Sequence, residues 1–249
     1  MNNALYVGLS RQMTLQRALD LAANNLANVD TAGFKLEQPI LNDEPALAPR
    51  KSGQAGPIEY VLDHGVARDF SQGALEQTGA PYDVGIDGDG FFTVNTPSGP
   101  RYTRDGRFTV DTSNRLVDKA GNAVQVAGGG DITLDPQRGA PSIAKDGTIS
   151  QTDDKGASAQ VGRLGVVRFA DRAALSKVGD NLLDAGAQPA LPAADLQLRQ
   201  GAIERSNVQP VVEITHLIEI TRAYERVTQM MTSNQDLSSQ AIDRLGKAA

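Results

Sequence analysis

The apolar residues change period twice along the chain, and that double switch limits the folds open to it. From Ala4 to about Asn28, the positions Leu5, Leu9, Met13, Gln16, Leu19, Ala23 and Leu26 recur at spacings of three and four, the repeat of one helix face. Asn28, Asp30, Thr31 and Gly33 follow; they compete for backbone hydrogen bonds or accept positive φ, so they end the helix in a turn. From about Gly73 to Phe169 the repeat drops to two. Short apolar runs such as Tyr82–Ile86, Phe91–Val94, Phe108–Val110, Val124–Val126 and Gly165–Phe169 alternate there with turn residues. From about Pro210 to Leu245 the helical repeat returns, through Ile214, Leu217, Thr221, Tyr224, Thr228 and Met231 or a neighbouring register at least as apolar. A helix of roughly 35 residues spans about 50 Å, long for a globular core.

These switches divide the chain into an N-terminal helix and turn (1–34), an extended connector (35–74), a β-rich domain (75–195) and a C-terminal segment with a long helix (196–249). The connector is rich in Pro, Gly and Ala, with one strand-like alternation at Ile58, Tyr60 and Leu62. The expected fold is a mainly β central domain with long N- and C-terminal α-helices that pair or assemble as a coiled-coil-like core. Asp-Gly pairs within Asp87–Gly90, at Asp105–Gly106 and at Asp146–Gly147 stand between short apolar runs and predict hairpins. The strand order is not legible.

Composition removes several kinds of chemistry. The 249 residues carry 24 Lys and Arg against 30 Asp and Glu, a net charge of -6, which offers nucleic acid or anionic lipid no long-range attraction. There is no cysteine, so disulfides and thiolate chemistry are excluded. The two histidines, His64 and His216, are far apart, and each reads as a surface or structural residue. Asp87-Gly88-Asp89-Gly90 opens like a calcium loop, but Phe91 and Ser98 stand where further oxygen ligands belong, so turn chemistry is the better reading. Gly128–Gly130 precede a strand and cradle no phosphate. No nucleophile elbow, P-loop or dinucleotide fingerprint is present. Glu213, Glu219 and Glu225 lie at helical spacings from Arg222 and Arg226, as on a solvated or interfacial face. The expectation is therefore no enzyme, no cofactor, no metal, no small-molecule substrate, no nucleic acid and no transmembrane segment. The opening MNNALYVGLSRQMTLQRALD has no basic stretch, apolar run and small-residue cleavage site, so no cleaved secretory signal is expected.

Four segments carry a resemblance. Ala23–Lys35 (ANNLANVDTAGFK) resembles the N-terminal signature of the flagellar rod and hook protein family, and Gly201–Glu213 (GAIERSNVQPVVE) resembles the family's entry into its last helix. Tyr224 matches an aromatic position in that helix, while Gly85–Phe92 and Arg101–Gly106 resemble motifs of the family's β domain. Within the family, the length and the opening Met1–Gly8 look most like the proximal-rod member, with the distal-rod member next. The resemblance implies a structural subunit of the bacterial flagellar basal-body rod that polymerises helically with itself and with other rod and hook subunits. It also implies delivery by the flagellar export apparatus without a cleaved signal peptide, and a place in the rod spanning the periplasm. An amphipathic helix lacks its tertiary partner in the free subunit. The assembly interface is accordingly expected at Leu5, Leu9, Leu19, Asn24, Asn25, Leu26, Asn28, Gly33, Phe34, Leu217, Tyr224 and Met231, with Gly33 holding the turn. Two other readings are a soluble ligand-binding module built on the β domain and a carboxylate-based hydrolase.

Overall fold

The computed structural model describes residues 2–43, 61–193 and 196–247. The run from Glu44 to Pro57 and the alternation at Ile58 and Tyr60 lie outside the described residues, as do the side chains of Leu5, Leu62, His64, Ser238, Ile242 and Leu245. The chain divides into two compact units. The first comprises Met1–Ala27, Glu37–Asp69 and Gln209–Ala249; the second comprises Asn28–Leu36 and Phe70–Val208.

The first, helical unit contains α1 (Asn2–Ala27), the strands β1 (Glu37–Asp43) and β2 (Val61–Arg68), and α2 (Pro210–Lys247). Within the span read as a connector, β1 and β2 pair antiparallel, Glu37 opposite Arg68. Helix α2 starts on Pro210, whose missing N–H would be an orphan there in any residue, and places Glu213 in the first turn where the helix dipole favours an acid. Thr215, Thr221, Thr228 and Thr232 return their hydroxyls to the carbonyl four residues back, so their polar atoms are satisfied within the helix.

The second, β unit holds the remaining strands. Its early strands are β3 (Leu75–Gln77), β4 (Val84–Asp87), β5 (Phe91–Thr96), β6 (Gly99–Thr103), β7 (Thr109–Val110), β8 (Leu116–Val117) and β9 (Ala123–Val124). Three more, β10 (Ser142–Ile143), β11 (Thr148–Thr152) and β12 (Ser158–Arg163), form a small sheet of their own in that order. The last are β13 (Val166–Arg168), β14 (Ser176–Gly179), β15 (Leu182–Asp184), β16 (Leu191–Pro192), β17 (Gln197–Gln200) and β18 (Ala202–Glu204). The main sheet runs β14-β15-β6-β5-β9-β8-β7, with β13 also on β5 and β16 on β13. The two ends of the unit close on each other, since β17 pairs with β4 and β18 with β3.

Alternation along β5 builds the core. Neighbouring residues of a strand face opposite sides, and Phe91 and Phe92 accordingly enter different apolar clusters. Phe92 packs edge-on against Phe108, with ring centroids 5.1 Å apart, among Val84, Val94, Val124 and Ile132. Phe91 joins Phe169, Tyr102, Leu175 and Leu183. Burying one such ring is worth about 1.5–3 kcal/mol.

Two expectations are corrected. The helices do not form a coiled-coil-like core. Both apolar clusters lie in the β unit and contain no residue of α1 or α2. In α2, Glu213 is the one buried residue among the described side chains, and α1 buries little more than Gly8, Thr14, Leu15, Ala22 and Asn25. A coiled coil needs apolar knobs sustained every three to four residues. Here the stripes are interrupted by Gln12, Gln16, Thr221, Thr228 and Gln235, while Met13 and Ile218 keep large exposed surfaces. Among the described residues the architecture is two helices with eighteen strands in five sheets.

The second correction concerns the hairpins. Asp146–Gly147 does join the paired strands β10 and β11. Asp87–Gly90 and Asp105–Gly106 do not, because β4 pairs with β17 while β5 turns to β6, β9 and β13, and β6 pairs with β5 and β15 while β7 pairs with β8. Asp87 is ion-paired with Arg199 of β17 at 2.6 Å, so the local turn signal is overridden by a partner more than a hundred residues away.

Candidate functional site

The residues expected at an interface are distributed unevenly. Leu9 and Asn24 are exposed; Leu19, Leu26, Leu217, Tyr224 and Met231 are half-buried in the helical unit. Asn28 is half-buried in the β unit, where its carbonyl accepts the Thr31 N–H at 3.1 Å and shapes the turn. Asn25 is buried in the helical unit, and Gly33 and Phe34 are buried in the β unit.

In the helical unit, α1 and α2 pack against each other, and two contacts mark the pairing at one end. Gly8 has no Cβ, and one built there would fall 2.9 Å from Cγ of Met231, so the glycine is what lets the methionine in. Gln12 donates from Nε2 to the Tyr224 hydroxyl at 2.8 Å. Beside this contact a groove of about 790 Å³ runs along α1, lined by Leu9, Met13, Gln16, Arg17, Asp20 and Tyr224 among others. Further large apolar side chains stand in water: Tyr6 on α1, and Val211, Val212, Ile214, Ile218, Met230 and Leu237 on α2.

A polar brace closes the other end of this unit. Asn25, 2% exposed, donates from Nδ2 to the Glu37 carbonyl at 2.8 Å and to Oε2 of Glu213 at 3.3 Å. Its Oδ1 accepts the Glu37 N–H at 3.0 Å, so one carboxamide ties α1 to β1 and α2. Arg68 of β2 donates to the Glu37 carboxylate at 2.8 Å. His216 Nδ1 stands 3.7 Å from Oε1 of Glu213, an ion pair only when the imidazole is protonated.

The β unit contains a buried charge cluster that sequence reasoning missed. Glu204, 1% exposed at the end of β18, faces two cations: Lys35 Nζ lies 2.6 Å from Oε1, and an Arg104 terminal nitrogen lies 2.7 Å from Oε2. Oε1 also accepts the Gly73 N–H at 2.9 Å, whereas Oε2 meets Arg104 as an ion contact without hydrogen-bond geometry. Arg104 further donates to the carbonyls of Gly88 and Gly90 at 2.8 and 2.6 Å, and Lys35 donates to the Ser71 carbonyl at 2.6 Å. Burial pulls the pKa of the Arg104 guanidinium below its ordinary value, and Glu204 works against that pull. The available signal was position: Lys35, Arg104 and Glu204 lie in three of the motifs that carry the family resemblance.

Segment 28–36 is fitted into the same place. Gly33 sits at φ 68°, and a Cβ there would collide with the backbone of Arg104. Its N–H donates to the Glu204 carbonyl at 2.8 Å. Asn181 holds the Ala32 carbonyl at 2.8 Å, Lys177 Nζ stands 4.7 Å over the Phe34 ring, and the Leu36 N–H donates to Asn207 at 2.8 Å.

Among the described residues, no group of three or more His, Asp or Glu is placed to hold a metal ion, and no helix is long and apolar enough to cross a membrane. Comparison with known proteins points one way along the whole chain. Residues 5–35 match the flagella basal body rod protein family, residues 85–151 the flagellar hook protein FlgE/F/G D1 domain, and residues 199–244 the C-terminal domain of flagellar basal body rod FlgEFG proteins. The chain is 50% identical over 248 residues to the flagellar basal-body rod protein FlgF of Caulobacter vibrioides, covering 99% of both. It is 34% identical to FlgF of Rhizobium meliloti, covering 99% of both chains. To the rod protein FlgG of Bacillus subtilis it is 30% identical, over 98% of this chain and 99% of the other. The readings as a ligand-binding module or a hydrolase find no support among these relatives. The chain belongs to the flagellar rod and hook protein family, whose members are structural proteins and not enzymes, and within it stands with the basal-body rod proteins.

Proposed function

We propose that this chain is built into the flagellar basal-body rod through its helical unit, and that the exposed apolar faces of α1 and α2 are the surfaces that neighbouring rod or hook subunits cover. The observation that carries this reading is the placement of unburied apolar groups. Among the described residues, nine of the twelve large apolar side chains that remain exposed lie on the two helices, which is where a partner is missing. On this reading Leu9, Leu19, Asn24, Leu26, Leu217, Tyr224 and Met231 form or border the contact surface of the helical unit, with Asn25 bracing it from inside; Leu5 is expected at the same interface, and Asn28, Gly33 and Phe34 act within the β unit. The subunit is a structural element of the rod and serves motility. In the same reading it takes the proximal position, packs helically where the rod spans the periplasm, and arrives through the flagellar export apparatus with its N-terminal residues retained.

An immunoblot of detergent- and alkali-washed basal bodies tests this directly. The chain is expected in a few copies per particle, and its absence from particles with a complete rod would sink the reading. Leu19→Asp or Tyr224→Asp is expected to block incorporation while the β unit stays folded. An intact mass of the rod-derived chain beginning at Met1 or Asn2 supports export without cleavage, and a shorter N-terminus contradicts it.

A further inference from the structure

We propose that Glu204 is a positioning residue for assembly: with Lys35 and Arg104 it latches residues 28–36 into the β unit, and the latched form is the one the rod accepts. The inference rests on the reading of the chain as a rod subunit and adds a condition on which form of the subunit is competent.

Three charges far apart in the chain meet in a site almost closed to water. One carboxylate stands between two cations, so losing it leaves Lys35 and Arg104 facing each other in a poorly solvated site. The partners of segment 28–36 are spread along the β unit: Ser71, Arg104, Lys177, Asn181, Glu204 and Asn207. The full set of these contacts exists only with the β unit closed, β18 paired to β3. Asn207 adds a second tie, accepting the Leu36 N–H and donating to the Ser71 hydroxyl at 3.0 Å.

Seating matters because of what the segment joins. It continues directly from Ala27, the last residue of α1, and leads directly into Glu37, the first residue of β1. Nine unseated residues reach about 30 Å when extended. A subunit with the segment unseated has to order those nine residues on joining a rod, a conformational cost that weakens incorporation without removing a single contact to its neighbours.

The test uses the full-length chain with Lys35→Met, which removes one cation at little change in length, Lys35→Arg as the conservative rescue, and Asn207→Ala as a second, uncharged loosening. Amide hydrogen exchange of residues 31–36 is read in the purified chain, and copies per rod are read in washed basal bodies. Lys35→Met is expected to speed exchange of the segment at least about tenfold while the amides of Val94 and Val124 keep their protection. Copies per rod are expected to fall about tenfold, and Lys35→Arg to restore both. Asn207→Ala should shift both readouts in the same direction by less. Unchanged exchange in the segment overturns the latch, as does faster exchange with wild-type incorporation. Protection lost throughout the β core in both Lys35→Met and Asn207→Ala overturns it too, since no separate latch would then exist. Absence of the wild-type chain from rods would instead be a failure of the rod reading, so the two failures are distinguishable.

Discussion

All six phenylalanines of the chain lie in the β unit and none in the helical unit. In the β unit Phe92, Val94, Val124 and Ile132 are fully withdrawn from water; in the helical unit Met13, Val211 and Leu237 are 67, 78 and 64% exposed. Both units contain apolar residues at regular spacing, so the difference lies in what the spacing finds opposite it. A period of two in the β unit meets other strands of the same chain, and the two ends of the unit pair with each other. A period near 3.6 on α1 and α2 brings the two helices together at Gly8, Gln12, Tyr224 and Met231 and at Asn25 and Glu213, and leaves apolar residues on their other faces exposed. One unit completes its core within the chain, and the other leaves large apolar side chains of both helices exposed.

The sharpest way to break that comparison is to empty one site in each unit. Phe92→Ala should cost about 3–5 kcal/mol and lower the urea midpoint followed by near-ultraviolet circular dichroism of the phenylalanines. Met13→Ala, at an exposed site, should change the stability of the helical unit by less than about 0.5 kcal/mol, read as exchange of the α1 amides. Equal effects would remove the distinction between the units.

Asn25→Ala removes the carboxamide that satisfies Glu37 and Glu213, and should cost about 1–3 kcal/mol in the helical unit alone. The measurement is exchange of the α1 and β1 amides, with the β-unit strands as internal control. Tyr224→Phe deletes the bond from Gln12 and should cost about 0.5–1.5 kcal/mol, read as faster exchange near Gln12.

The smallest expected effect is on pH dependence. In the β unit Asp111 is held below the usual aspartate pKa by backbone N–H donors, that of Arg115 foremost, and Asp146 in the same way by that of Thr148. A carboxylate whose folded pKa is depressed stabilises the fold above its unfolded value, here 3.8, and loses that contribution as pH falls through the folded value. The urea midpoint of the β unit should therefore be flat from pH 7 to about 5 and fall below about pH 4. The double variant Asp111→Asn, Asp146→Asn should fall less steeply than the wild type over that lower range.

Much of this was legible in the sequence because it is local. The positions of both helices, the β character of the middle and the Asp146–Gly147 hairpin follow from period and turn chemistry within a short window. The rest depends on partners distant in sequence. Asp87–Gly90 has the composition of a hairpin turn, but Arg199 and β17 claim the strand before it. The helical stripes suggested a coiled-coil core because spacing does not reveal whether the facing surface exists in the same chain. Of the expected interface residues, Asn25 and Gly33 were noticed for their motif, yet their partners Glu213 and Arg104 lie 188 and 71 positions away, and no period connects them. The same holds for Glu204, an ordinary acidic residue until Lys35 and Arg104 are brought to it.

Amide hydrogen exchange on the purified chain and on the same chain inside washed basal bodies tests the central claim most directly. In the free chain, the amides of β5, β9 and β11 should be the slowest, and those of α1 and of α2 beyond Tyr224 at least about tenfold faster. Inside the rod the helical amides should slow toward the values of the strands, while the strands themselves change little. Helices that are as protected as the β core in the free chain, and no more protected in the rod, would contradict the account.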